Sequence, residues 1–117
     1  MLIVRWPWTT ARVLRSPQQA VNITYSDHDC TGDGRTKAYA HYRVFEAFRS
    51  VASEVPSIEV SIARDRRVGR AHRVTCTVLA QLRNGDHISA TATGDWPYAA
   101  IQRAAIKARQ RLDERPR

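Results

Sequence analysis

RVTCTVLAQLRNGDHISATATG, residues 73–94, alternates apolar and polar side chains twice, on either side of an Asn-Gly pair. Val74, Cys76 and Val78 alternate with Thr75 and Thr77, in a run that can extend to Leu82. Ile88, Ala90 and Ala92 alternate with Ser89, Thr91 and Thr93. A period of two is the mark of a half-buried strand. Asn84-Gly85 is a strong hairpin signal, because a type I′ turn needs positive φ at both central positions. The pair is therefore read as an antiparallel hairpin. Downstream, Gly94–Pro97 opens a helix, with Asp95 as a possible cap and Pro97 suited to the first turn. Its apolar stripe is Tyr98, Ile101, Ala105, Ala108 and Leu112.

Upstream, Ile58, Val60 and Ile62 alternate with Glu59 and Ser61, which adds a strand before the hairpin. Pro56 bars a helix from running into it. Before Pro56, Arg35–Ala52 reads as a helix with Ala38, Tyr42, Phe45, Phe48 and Ala52 as its buried stripe. Lys37, Arg43 and Glu46 fall on its other faces, and Tyr39 is the aromatic expected at the surface. Val21, Ile23 and Tyr25 alternate with Asn22 and Thr24 as the first strand. The fold class is α+β in the order β-α-β-β-β-α. A helical crossover allows the first two strands to be parallel, and the rest is meander. Strands with one wet face need cover on the other, so the expected layout is a four-stranded mixed sheet with two side-by-side helices on one face.

The 117 residues suit one domain, read as residues 19–114, with a flexible basic extension over residues 1–18 and a frayed end at residues 115–117. Arg5, Arg12 and Arg15, without an acid before Asp27, resemble a transit-peptide composition. A short extension or an upstream start codon fits Trp6, Pro7 and Trp8 better. Packing of both tryptophans on the domain or a partner stays open. Apolar content is 43% and charged content 26%, both ordinary, and no stretch is apolar enough to span a bilayer. Lys plus Arg outnumber Asp plus Glu by 19 to 11, for a net charge of +8. That balance favours a polyanion as partner, nucleic acid or an anionic membrane surface, although basicity also serves solubility alone. Cys30 and Cys76 stand far apart without a C-x-x-C pair. Reduced thiols of a cytoplasmic protein are expected, and a disulfide is the alternative the sequence leaves open.

The last helix carries the sharpest functional signal. Arg103, Lys107 and Arg111 recur at i, i+4, i+8, with Arg109 and Arg115 nearby and acids only at Asp113 and Glu114. A solvated helix face usually mixes signs to gain i, i+4 pairs. A ridge of one sign is read as an RNA-binding surface, against the plainer reading of an ordinary wet face. The connector RDRRVGRAHR, residues 64–73, adds Arg66, Arg67 and Arg70, which can grip phosphates without reading sequence. Any one of these arginines is as well explained by a solvated loop; the cluster is not. Asp27-His28-Asp29-Cys30 has the letters of a metal site, but adjacent side chains rarely converge on one ion. A turn explains it better. Gly32-Asp33-Gly34 is too short to cradle a phosphate, and no nucleophile has a base beside it. No enzyme activity, cofactor, metal or small-molecule substrate is expected.

Residues 73–112 resemble the ribosome hibernation-promoting factors, also described as ribosome-associated inhibitors or σ54-modulation proteins. The hairpin 73–94 looks like that family's third and fourth strands. Asp95-Trp96-Pro97-Tyr98-Ala99-Ala100-Ile101 looks like its helix-opening motif, an acidic residue followed by Tyr-x-x-Ile. Lys107 falls where the family carries a helix lysine. The first helix, AYAHYRVFEAFRS, is rich in Tyr and Phe where the family favours Leu, Lys and Arg.

The resemblance implies the same β-α-β-β-β-α fold, a layout akin to a double-stranded-RNA-binding domain. It also implies a short-form protein that binds small-subunit ribosomal RNA near the decoding channel and inhibits translation in stressed cells. Basic residues of the two helices would then face RNA: Arg103, Lys107 and Arg111, with Lys37 and Arg43. A general structured-RNA module and a protein-interaction module on the same fold are the alternatives.

Overall fold

A computed structural model of the chain describes residues 21–28, 34–65 and 73–115. Trp6, Trp8, Cys30 and the connector residues Arg66, Arg67 and Arg70 lie outside the described residues. The elements are β1 (Asn22–Asp27), α1 (Gly34–Phe48), a 3-10 turn (Arg49–Val51), β2 (Ser57–Asp65), β3 (Arg73–Gln81), β4 (His87–Gly94) and α2 (Pro97–Asp113). The sheet order is β1-β2-β3-β4. β1 and β2 are parallel, as the crossover through α1 allows, and the other neighbours are antiparallel. This is the α+β arrangement expected from the sequence.

Both helices cover one sheet face. The inward residues Ile58, Val60 and Ile62 of β2, Val74, Cys76, Val78 and Ala80 of β3, and Ile88 and Ala90 of β4 meet Val44 and Phe48 of α1. Ile101, Ala104, Ala105, Ala108 and Leu112 of α2 complete the core. Each large aliphatic or aromatic side chain buried here contributes roughly 1.5–3 kcal/mol relative to exposure. The opposite sheet face carries Thr24, Ser26, Ser61, Thr75, Thr77, Ser89, Thr91 and Thr93. The Thr77 and Thr91 hydroxyls meet across its β3–β4 pair at 3.1 Å. The two helices run parallel. Tyr39 stacks on Tyr98 at their N-terminal ends, with ring centroids 4.5 Å apart.

Four local expectations are corrected. The buried row of α1 is Thr36, Ala40, Val44 and Phe48; of the expected stripe, Phe48 and Ala52 are buried, and Ala38, Tyr42 and Phe45 are exposed. Two rows on opposite sides of this helix have helical spacing. The row of smaller side chains lets the helix sit close against the β-branched sheet, and the larger aromatics face out. The helix also ends at Phe48, and the chain continues to Ala52 through the 3-10 turn. The hairpin is not a two-residue Asn-Gly turn. Leu82 O accepts from Gly85 N at 3.0 Å, so Arg83 and Asn84 are central and Gly85 follows at φ 97°. A left-handed residue after such a turn is the usual way to close a slightly longer hairpin. Asp95 does not cap α2, since Trp96 holds the cap position without a side-chain bond and Pro97 follows at the first turn.

Cys76 is a free thiol, fully buried under the helices. Burial pushes it from 9.0 to about 12, so the reactive thiolate is disfavoured. Among the described residues, no helix is long and apolar enough to cross a membrane.

Candidate nucleic-acid interface

α2 has three working sides. Its buried side is described above. A second side faces β4, whose outer edge pairs with no other strand of the sheet. Arg103, Lys107 and Arg111 stand on that side, all exposed. The Arg103 guanidinium donates to Thr93 O at 2.8 Å, and the Lys107 ammonium donates to Thr91 O at 3.1 Å. The match has a geometric cause. Four helix residues rise about 6 Å, and two strand residues rise about 6.8 Å. Stepping down the helix by four therefore steps back along β4 by two, from Thr93 to Thr91 to Ser89. Arg111 takes the third place and lines a shallow opening with His87, Ser89 and Glu114.

The sequence read this ridge as a row of charges and could not see the carbonyls that hold it. An edge strand turns alternate carbonyls outward, and their partial negative charge favours cations. Each bond to a carbonyl uses one donor, so both side chains keep further N–H groups turned to solvent. The result is a spaced row of three positive charges on a rigid seam between helix and sheet. The same bonds cover part of a strand edge that would otherwise be open to pairing with another chain.

The third side of α2 faces α1, and Arg109 belongs there rather than on the ridge. Its Nη1 donates to Ala47 O at 2.8 Å and to the Ser50 hydroxyl at 3.0 Å. Its Nε meets Asp113 at 3.0 Å. Arg109 thus ties the C-terminal half of α2 to the end of α1, with its Nε and Nη1 donors engaged by protein groups. Arg43 lies on the same groove, one helical step from both Tyr39 and Ala47. It is half-buried, with its Nε lacking a hydrogen-bond partner. Lys37 is exposed in the first turn of α1, on another face. The structure therefore brings Arg103, Lys107 and Arg111 together and separates Lys37, Arg43 and Arg109 from them. Arg115 lines the same opening as Arg111 and is held there in an ion pair with Asp86 at 2.7 Å.

Several exposed aromatics were not expected. Tyr42 is 56% exposed, Phe45 45% and Trp96 67%, whereas Tyr39 is half-buried against Tyr98. The available signal was the competing row Thr36–Ala40–Val44–Phe48, whose spacing of four is as regular as that of the aromatics.

No family model and no curated protein gives a match to this sequence. Solved structures do. A ribosomal subunit interface protein from Coxiella burnetii superposes with a TM-score of 0.66 at 13% identity, covering 80% of this chain and 96% of that one. The N-terminal domain of Thermus thermophilus protein Y gives a TM-score of 0.59 at 13% identity, covering 79% and 96%. At that identity the likeness is one of fold. The chain shares its fold with these two proteins, and that fold is the one implied by the resemblance of residues 73–112 to the hibernation-promoting factors.

Proposed function

We propose that this protein is a ribosome-associated RNA-binding protein that binds the small subunit near the decoding channel and inhibits translation. The observation that carries the reading is the exposed ridge Arg103–Lys107–Arg111, whose first two members bond the edge of β4, on a fold shared with a ribosomal subunit interface protein. The ridge supplies charge-assisted hydrogen bonds to phosphates, and the folded body occludes the path of messenger and transfer RNA. The action is steric and electrostatic, without a catalytic step. Recognition is by shape and backbone, as is usual for structured RNA. Lys37, Arg43 and the connector arginines Arg66, Arg67 and Arg70 are secondary candidates for contact with RNA. Arg109 is not, because its donors hold the helices together.

Co-sedimentation with purified small subunits at near-physiological salt tests the proposal. The parent should travel with the subunits, and a Lys107→Glu/Arg111→Glu variant with unchanged circular dichroism should not. Affinity should fall steeply with salt, and the logarithmic slope should drop by about one for each phosphate that a variant no longer neutralises. A parent that stays at the top of the gradient overturns the reading. A second reading, a general structured-RNA module, is favoured by the ridge taken alone. Competition by plain RNA duplex as strong as by small subunits would select it.

A further inference from the structure

We propose that the outer face of α1 is a stacking platform for unpaired bases of single-stranded RNA. Arg35, Ala38, Tyr42, Phe45 and Arg49 recur at three- and four-residue spacing, on the side opposite the buried row Thr36–Ala40–Val44–Phe48. All five are exposed. Two aromatic rings therefore stand on one face of α1, with Arg35 before them and Arg49 after them in the 3-10 turn that follows the helix. The sole acid of α1, Glu46, pairs with Arg49 at 3.6 Å, which leaves the guanidinium further donors.

Magnitudes favour bases over a protein partner. A buried aromatic contributes about 150–250 Å². With Tyr42 and Phe45 each near half exposed, the two rings offer on the order of 200 Å² of surface. A stable protein interface needs about 800 Å² on each side. A stacked base needs one ring face and is worth roughly a fivefold to hundredfold change in affinity per base. The ends of the row also suit nucleic acid, since guanidinium groups bind phosphate bidentately or stack on bases themselves. Residues three apart on a helix hold their Cβ atoms about 5–6 Å apart, wider than the about 3.4 Å step of a stacked strand. The platform thus fits bases already splayed from one another, the form in which single-stranded loops present them.

The inference deepens the RNA-binding reading but rests on a different face from the ridge. Fluorescence anisotropy of the full chain with a short labelled oligoadenylate, and with an RNA duplex of equal length, tests it. Tyr42→Ala/Phe45→Ala should weaken single-strand binding at least about tenfold and leave duplex binding unchanged. Tyr42→Leu/Phe45→Leu, which keeps apolar bulk without a π face, should lose as much. Single-strand affinity equal to the parent's in either double variant overturns the platform. The leucine variant retaining affinity would mark a plain apolar surface, and a parent that self-associates through this face without binding the oligonucleotide would mark a second copy as its occupant. The two readings fail separately. Substitutions at Tyr42 and Phe45 that change nothing, beside an active ridge, remove only the platform. A working platform without subunit binding removes only the ribosome.

Discussion

Arg109 shows how a residue type misleads until its partners are seen. The sequence offers it as one more cation on a basic helix. In the fold its guanidinium holds Ala47 O, the Ser50 hydroxyl and Asp113 at once. Arg109→Ala should lower stability by about 1–2 kcal/mol in urea unfolding, the scale of hydrogen bonds to a charged group discounted for partial exposure. Ribosome binding of the folded fraction should stay unchanged. Cys76 behaves in the opposite way, with its alternating position already announcing core. Its thiol is pushed up to about 12 by burial. Because the folded value lies above the unfolded one, the neutral thiol's contribution is full below about pH 9 and is lost as pH rises toward 12. In a Cys30→Ser background, iodoacetamide should leave the native protein unlabelled at about pH 8, below the thiol's titration, and label it fully in urea, as read by mass spectrometry.

At the scale of elements, the hairpin strands and most of the last helix were legible from their periodicity: Ile101, Ala105, Ala108 and Leu112 of its expected stripe are buried, whereas Tyr98 is 43% exposed. Val74/Cys76/Val78 and Ile88/Ala90 allow one buried face, and the structure uses it. α1 was not legible in the same way. Ala38/Tyr42/Phe45 and Thr36/Ala40/Val44 both satisfy helical spacing, and hydrophobicity alone selects the larger side chains. The choice is made by the sheet below, which the helix sequence does not contain. The same holds for the ridge, whose charges were visible but whose register with the carbonyls of Thr91 and Thr93 depends on the strand order.

Two predictions belong to this scale. A Cβ on Gly94 would lie 2.9 Å from both Ala99 Cβ and Ala100 N, where β4 hands over to α2. Gly94→Ala should cost about 1–3 kcal/mol by overpacking, measured as a lowered denaturation midpoint. Arg103→Ala/Lys107→Ala should uncover the outward carbonyls of β4 and raise self-association at high concentration, visible by light scattering.

For the whole molecule, the division of labour between faces matters most. One sheet face is hidden by the helices, and the other presents hydroxyls. A row of positive charge lies along the seam of α2 and β4, and exposed aromatic rings stand on α1 (Tyr42, Phe45) and at the start of α2 (Trp96, Tyr98). The order β-α-β-β-β-α and the parallel first pair followed from the sequence. The separation of these surfaces did not, because it depends on which side of each helix meets the sheet.

Under the proposed function, the folded body occupies the path of messenger and transfer RNA on the small subunit. The most direct measurement is displacement of labelled transfer RNA from programmed small subunits by increasing amounts of the protein. The parent should release the transfer RNA at saturating concentration, and the Lys107→Glu/Arg111→Glu variant should need far more protein to do so. A stable complex holding the subunit, the transfer RNA and the protein together would contradict the account.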